Sequence, residues 1–128
     1  MPKAIVIVPK KAPVVMAITD FNELKAIIDG YLQAIAFTSD TMAYMDEEGK
    51  VRADKVPALN RLATHLCNTV GTPLFATDWI AGTMVIMGKF NDQGEMDGED
   101  HDVPAHVIKV VMEASQEYAK SQSITWID

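Results

Sequence analysis

Apolar residues recur along this chain in two rhythms, one suited to strands and one to helices. Ala4 to Val8 is a continuous run rich in isoleucine and valine, as expected of a strand covered on both faces. Pro9-Lys10-Lys11-Ala12-Pro13 interrupts it, and Val14 to Ile18 supplies a second short strand, so the pair predicts a hairpin with a five-residue loop. Asp20 then opens a helix. Its carboxylate suits the orphan backbone amides of a first turn, and Glu23, three residues on, completes a capping-box pattern. Phe21, Leu24, Ile27 and Ile28 share one face, and Gly30 is the expected left-handed stop. Tyr31 to Phe37 predicts the next strand, and Thr38-Ser39-Asp40 turns the chain.

Met42 to Met45 and Lys50-Val51 flank the Asp46-Glu47-Glu48-Gly49 turn, which predicts a second hairpin with glycine where positive φ is needed. Pro57 suits the first turn of a second helix, whose stripe of Leu59, Leu62, Ala63, Leu66 and Val70 runs down to a stop at Gly71. Leu74 to Ala76 predicts a short extended segment. Trp79 to Phe90 predicts a longer one, with Gly82 and Gly88 marking a bulge or a close backbone approach. Asp102 is the expected cap of a last helix with Val103, Val107, Val110, Val111, Ala114 and Tyr118 on its apolar face. The tail from Ser123 to Asp128 reads as an extended segment that pairs with a sheet edge. Together these predict one α+β domain, an antiparallel or mixed sheet of about five strands with three helices, the longest near the C-terminus. Residues 1–128 show no internal repeat or linker.

Composition adds limits. The 128 residues suffice for one hydrophobic core, and 48% hydrophobic with 23% charged residues is ordinary for a globular chain. No run approaches the ~20 apolar residues that span a bilayer, and the apolar start is too short for a signal-peptide core. One cysteine excludes an intrachain disulfide, which fits a reducing cytoplasm, so an intracellular location is expected. The formal charge is −7, from eleven basic and eighteen acidic residues. Six of those acids (Asp92, Glu95, Asp97, Glu99, Asp100 and Asp102) fall in the loop 91–102; without them twelve acids face eleven bases. Direct nucleic-acid binding is disfavoured, because no basic footprint exists for a phosphate backbone.

Candidate chemistry is sparse. Asn60 and Thr64 are four apart and share a helical face; with Lys50 and Asp78 they form the expected ligand-binding site, a polar pocket where helix meets sheet. The competing reading is that Asn60 and Thr64 satisfy nearby loop backbone. Asp46-Glu47-Glu48 reads as a solvated hairpin tip, since adjacent strand residues point to opposite faces. The acidic loop lacks the ligand order of an EF-hand; weak calcium binding and mimicry of DNA phosphates are its sharper readings, a solvated loop its plain one. His65, His101 and His106 have no zinc spacing, and Cys67 beside an apolar stripe reads as a buried thiol. No catalytic residues, metal ligands or cofactor motif are recognised.

Four segments in order carry a family resemblance: Asn22-Glu-Leu-Lys-Ala-Ile-Ile-Asp-Gly-Tyr31, Asp46-Glu-Glu-Gly-Lys50, Asn60-Arg-Leu-Ala-Thr64 and Asp78-Trp-Ile-Ala-Gly82. They resemble the DUF3846 family, a small domain of unknown function found mainly in bacteriophages, plasmids and their actinobacterial hosts. That family shows Gly-Gly-Tyr-Ile-Glu, where this chain has Asp29 for the first glycine, and an Asn-Glu-Glu-Gly-Lys turn, where it has Asp46. The resemblance covers roughly Ala4 to Gly88 and leaves the acidic loop, last helix and tail outside it. The resemblance implies a phage accessory protein in a bacterial cytoplasm and supplies no reaction, cofactor or catalytic residue. The leading expectation is a non-enzymatic protein that binds and modulates a host protein, such as a defence component. Sequestration of a small, nucleotide-like molecule is the first alternative. Self-assembly, as a dimer through the last helix and the Ile124–Trp126 tail, is the second.

Overall fold

A computed structural model describes residues 3–18, 20–47, 59–74, 78–88 and 102–123. In chain order the elements are β1 (Lys3–Ile7), β2 (Val14–Ala17), α1 (Phe21–Ile28), β3 (Leu32–Thr38), β4 (Thr41–Asp46), α2 (Arg61–Thr69), β5 (Met84–Gly88) and α3 (Ala105–Ser121). The strands make one antiparallel sheet in the order β2-β1-β5-β4-β3. Two sequence-local hairpins, β1–β2 and β3–β4, therefore clasp β5, which arrives late in the chain and is buried at all five residues. The expected α+β class, five strands and three helices are all present.

Alternation along the strands feeds two cores. Ile5 and Ile7 of β1, Met84 and Ile86 of β5, Ala43 and Met45 of β4 and Phe37 of β3 face α2 and α3. Ala4, Val6, Val85, Met87 and Tyr44 face the other way, toward Leu24 and Ile28 of α1. The sheet is thus the middle layer of three, and its runs of consecutive buried apolar residues follow from being covered on both sides. Three strand methionines, Met45, Met84 and Met87, are buried and fill this interior, with Met42 packed beside it. Cys67 is fully buried with its Sγ 3.8 Å from Met84 Sδ, and burial pushes its thiol up to about 11.

Several boundaries differ from expectation. Asp20 caps α1 as expected, its carboxylate accepting from Glu23 N at 2.9 Å, but the left-handed residue at the other end is Asp29 (φ 55°), not Gly30. Gly30 is needed for space: a Cβ there would collide with the Asp46 carboxylate. Gly71 likewise makes room, since a Cβ would meet the Phe37 ring at 2.6 Å. The β4 strand was expected to pair with Lys50-Val51. Between Thr41 and Tyr44 its two edges are instead taken by β3 and β5, while Lys50, Val51 and the Glu48-Gly49 turn lie outside the described residues.

Helix α2 begins at Arg61, because Asn60 is its cap and Leu59 is extended, bridged to Ala81. Leu59 is accordingly exposed instead of lying on the helix stripe. The long strand expected over Trp79 to Phe90 begins only at Met84 and is described as far as Gly88, with 89–90 outside the described residues. Asp102 does not cap α3. Its carboxylate accepts from Lys3 N at 2.7 Å, and Val103 N donates to Lys3 O at 3.1 Å, so the lead into α3 is fastened to the start of β1. The cap position is Pro104, which makes no side-chain bond. Val107, Val111, Ser115 and Ala119 form the buried face of α3, and Ser115 satisfies its hydroxyl on Val111 O at 2.7 Å. Val110, expected on that face, is 45% exposed. The acidic residues 92–100, His101 and the 124–128 tail lie outside the described residues.

Candidate functional site

The four expected site residues have separate fates. Asn60 is 1% exposed and binds in three directions. Its Oδ1 accepts from Ala63 N at 3.1 Å, capping α2, while its Nδ2 donates to Ile7 O at 2.9 Å and to Gly82 O at 2.8 Å. Its backbone N–H donates to Ile80 O at 2.9 Å. Thr64, one helical turn on, donates from Oγ1 to Asn60 O at 2.9 Å and accepts from Ile80 N at 2.9 Å. The two residues form a latch that ties the start of α2 to the end of β1 and to the segment entering β5. An asparagine suits this place because only an amide offers an acceptor to the helix and two donors to carbonyls at once. Both donor hydrogens of Asn60 are committed within the protein.

Asp78 lies exposed outside the latch, its carboxylate accepting from Trp79 N at 2.8 Å. It lines a cleft of about 120 Å³ with Gln33, Asp46, Glu47, Trp79 and the edge of Ile80. Thr64 reaches this cleft only through its bond to the Ile80 amide. Lys50 lies outside the described residues. Asn60 and Thr64 are therefore brought together as expected, and Asp78 joins them through the 78–82 backbone. The cleft wall combines three carboxylates with an indole, and sequence reading had not connected Gln33 or Trp79 with it.

No group of three or more histidine, cysteine or acidic side chains suited to a metal ion occurs among the described residues. His65 packs on Tyr118 with ring centroids 4.6 Å apart, joining α2 to α3. His106 Nε2 stands 3.7 Å from Asp40 Oδ2 at the β3–β4 turn, on the surface. Both histidines thus serve contacts between elements. No described helix is long and apolar enough to cross a membrane.

A larger concavity, of about 480 Å³, opens at the β1–β2 hairpin. Val6, Val8, Ala12, Pro13, Val14 and Met16 line it, with Lys11 as its charged member. The hairpin turn closes through Lys11 N to Val8 O at 3.2 Å, with Lys10 in the left-handed region at φ 70°. Because α1 packs over β4 and β5, the α1-side face is left open at β2 and at Val8, while Ala4 and Val6 of β1 stay buried. Val8, Val14 and Met16 are exposed there. Sequence reading located this hairpin, but hydrophobic alternation alone does not say which strand ends at the rim of a sheet.

Comparison with known proteins places the chain in a family without adding a described activity. No curated protein matches it, and no solved structure matches it. One family profile matches residues 2–113, reaching past the quoted motifs into α3. The latch residues, Gly30 with Asp46, and all five strands of the sheet fall inside that span, and the chain belongs to the family described as Domain of unknown function (DUF3846).

Proposed function

We propose that this chain is a non-enzymatic binding protein of phage or mobile-element origin that engages a host protein in a bacterial cytoplasm. The observation that carries this reading is the hairpin concavity: about 480 Å³, walled by valine, proline and methionine, with a lysine at its rim. Apolar concavities with a few polar groups are where side chains of a partner gain most from leaving water. Lys11 favours a partner segment that carries a carboxylate next to its apolar anchors. The phage origin is what the family resemblance suggests, and the choice of a host target rests on that origin.

A nucleotide-like ligand is less well supported. The cleft beside Asp78 holds about 120 Å³, against the ~300 Å³ or more of ordinary small-molecule sites. Its Asp46, Glu47 and Asp78 walls would also repel phosphates. The test is affinity capture from host lysate with the native chain and with a Val14→Glu, Met16→Glu double variant. A host protein retained by the first and lost by the second is the expected result. An identical captured set would remove the hairpin from the reading, and a nucleotide-induced melting shift would favour the alternative.

A further inference from the structure

We infer that β2 is the docking edge for a second copy of this chain, the two β2 strands pairing antiparallel about a two-fold axis at Val15. This goes beyond the host-partner reading and is independent of it, since the dimer forms with no other component present.

The two rims of the sheet are built differently. β3 carries a register shift between Ala36 and Thr38, a bulge at its turn end, and its exposed residues Gln33, Ala34 and Ala36 are polar or small. β2 pairs with β1 without a break through Lys3↔Ala17, Ala4↔Met16, Ile5↔Val15 and Val6↔Val14. Its sequence is Val-Val-Met-Ala, all four residues are exposed, and no described strand lies on its outer side. An apolar edge strand with unpaired backbone groups is a template for another strand.

Charge identifies the occupant. Lys10 and Lys11 precede β2, and Asp20 follows it. Antiparallel pairing of β2 with itself sets the basic end of each strand beside the acidic end of the other, so the opposite charges meet twice. A two-fold axis perpendicular to the sheet keeps each face on its own side, so paired residues must share a face. Centring the axis on Val15 meets that condition. It places Val14 beside the partner's Met16 and turns the Lys10–Lys11 corner toward the end of the partner's strand that leads to Asp20. Lys10 also occupies a left-handed conformation, φ 70°, that glycine would adopt at lower cost. Two short strands with their flanks bury less than the ~800 Å² per partner of a standard interface, so the dimer should dissociate on dilution. The self-assembly expected from the last helix and tail is thereby assigned to β2 instead.

The test uses Val15, whose side chain meets its own copy across the axis. Val15→Glu and Val15→Lys each set like charges face to face, and an equimolar mixture sets unlike ones. In sedimentation on the full chain, the native protein should populate a dimer at high concentration and a monomer on dilution. Each variant alone should be monomeric with an unchanged circular-dichroism spectrum, and the mixture should recover the dimer. A native chain that stays monomeric at every concentration overturns the inference, as does a dimer that both single variants leave intact. Failure of the mixture to restore association overturns the Val15-centred pairing. Loss of a captured host protein in both variants, with the native chain monomeric, assigns the edge to that partner and overturns docking of a second copy.

Discussion

Around Asn60 a buried amide uses its acceptor and both donor hydrogens on protein groups, whereas along β2 apolar side chains stand in solvent and the outer backbone has no strand neighbour among the described residues. The first region contains the polar residues that sequence reading takes for a site; the second contains none. Polar residues that look functional can be consumed by the fold, because a buried polar group must be bonded or it costs stability. An apolar strand at a rim is under no such demand, and its unused hydrogen-bonding capacity is available to another chain. Substitutions should therefore separate the two regions by readout: stability at the latch, association at the edge.

The largest effect is expected at Asn60. Asn60→Ala removes the α2 cap and leaves the Ile7 and Gly82 carbonyls without their donor, a loss of about 3–5 kcal/mol in chemical denaturation. Asn60→Asp keeps the cap but turns an oxygen toward the two carbonyls, and it should be nearly as severe. If Asn60→Asp were neutral, the latch would not be the structural element described. Thr64→Val keeps the shape and removes the acceptor of Ile80 N, for about 1–2 kcal/mol. None of the three variants should alter the sedimentation of the molecules that remain folded.

Much of the fold is legible in the sequence, and the reasons differ by element. The Asp20–Glu23 capping pair and the β1–β2 hairpin are set by neighbours within a few residues, so local pattern suffices for them. The placement of β5 between β1 and β4 depends on partners some eighty residues apart in the first case, and no local period encodes that. Asn60 illustrates the same limit at the scale of one side chain. Its spacing from Thr64 says that both stand near one helical turn, yet its role is decided by carbonyls of Ile7 and Gly82. Leu59 and Val110 fit the helical period and are exposed nonetheless, because a stripe one turn too long and a stripe one residue too wide read alike. The hairpin concavity was hidden for a further reason: Val14, Val15 and Met16 read only as part of a short strand until the sheet order makes β2 a rim.

A smaller effect of opposite sign is expected at Lys10. Lys10→Gly relieves the positive φ without touching the core, so the monomer should gain about 0.5–1 kcal/mol. The same change removes one of the charges set against Asp20 of a second copy, so the dimer should dissociate at higher concentration than in the native chain. Calorimetry on the dilute protein and sedimentation on the concentrated one read the two effects apart. A variant that is both more stable and equally associated would deny Lys10 a part in the pairing.

The smallest effect is expected at Val110, and there its smallness is informative. Val110 is 45% exposed on α3, in the helical layer, and rivals Val14 as a large apolar side chain in solvent. If exposure alone made an interface, α3 would be as good a candidate as β2. Its backbone, however, is bonded within the helix, whereas that of an edge strand is open on one side. Val110→Lys should therefore change stability by no more than about 0.5 kcal/mol, as surface substitutions do. Sedimentation should also leave the dimer as it was. A dimer lost on Val110→Lys but kept on Val15→Glu would move the interface to α3 and reduce the β2 edge to an exposed strand.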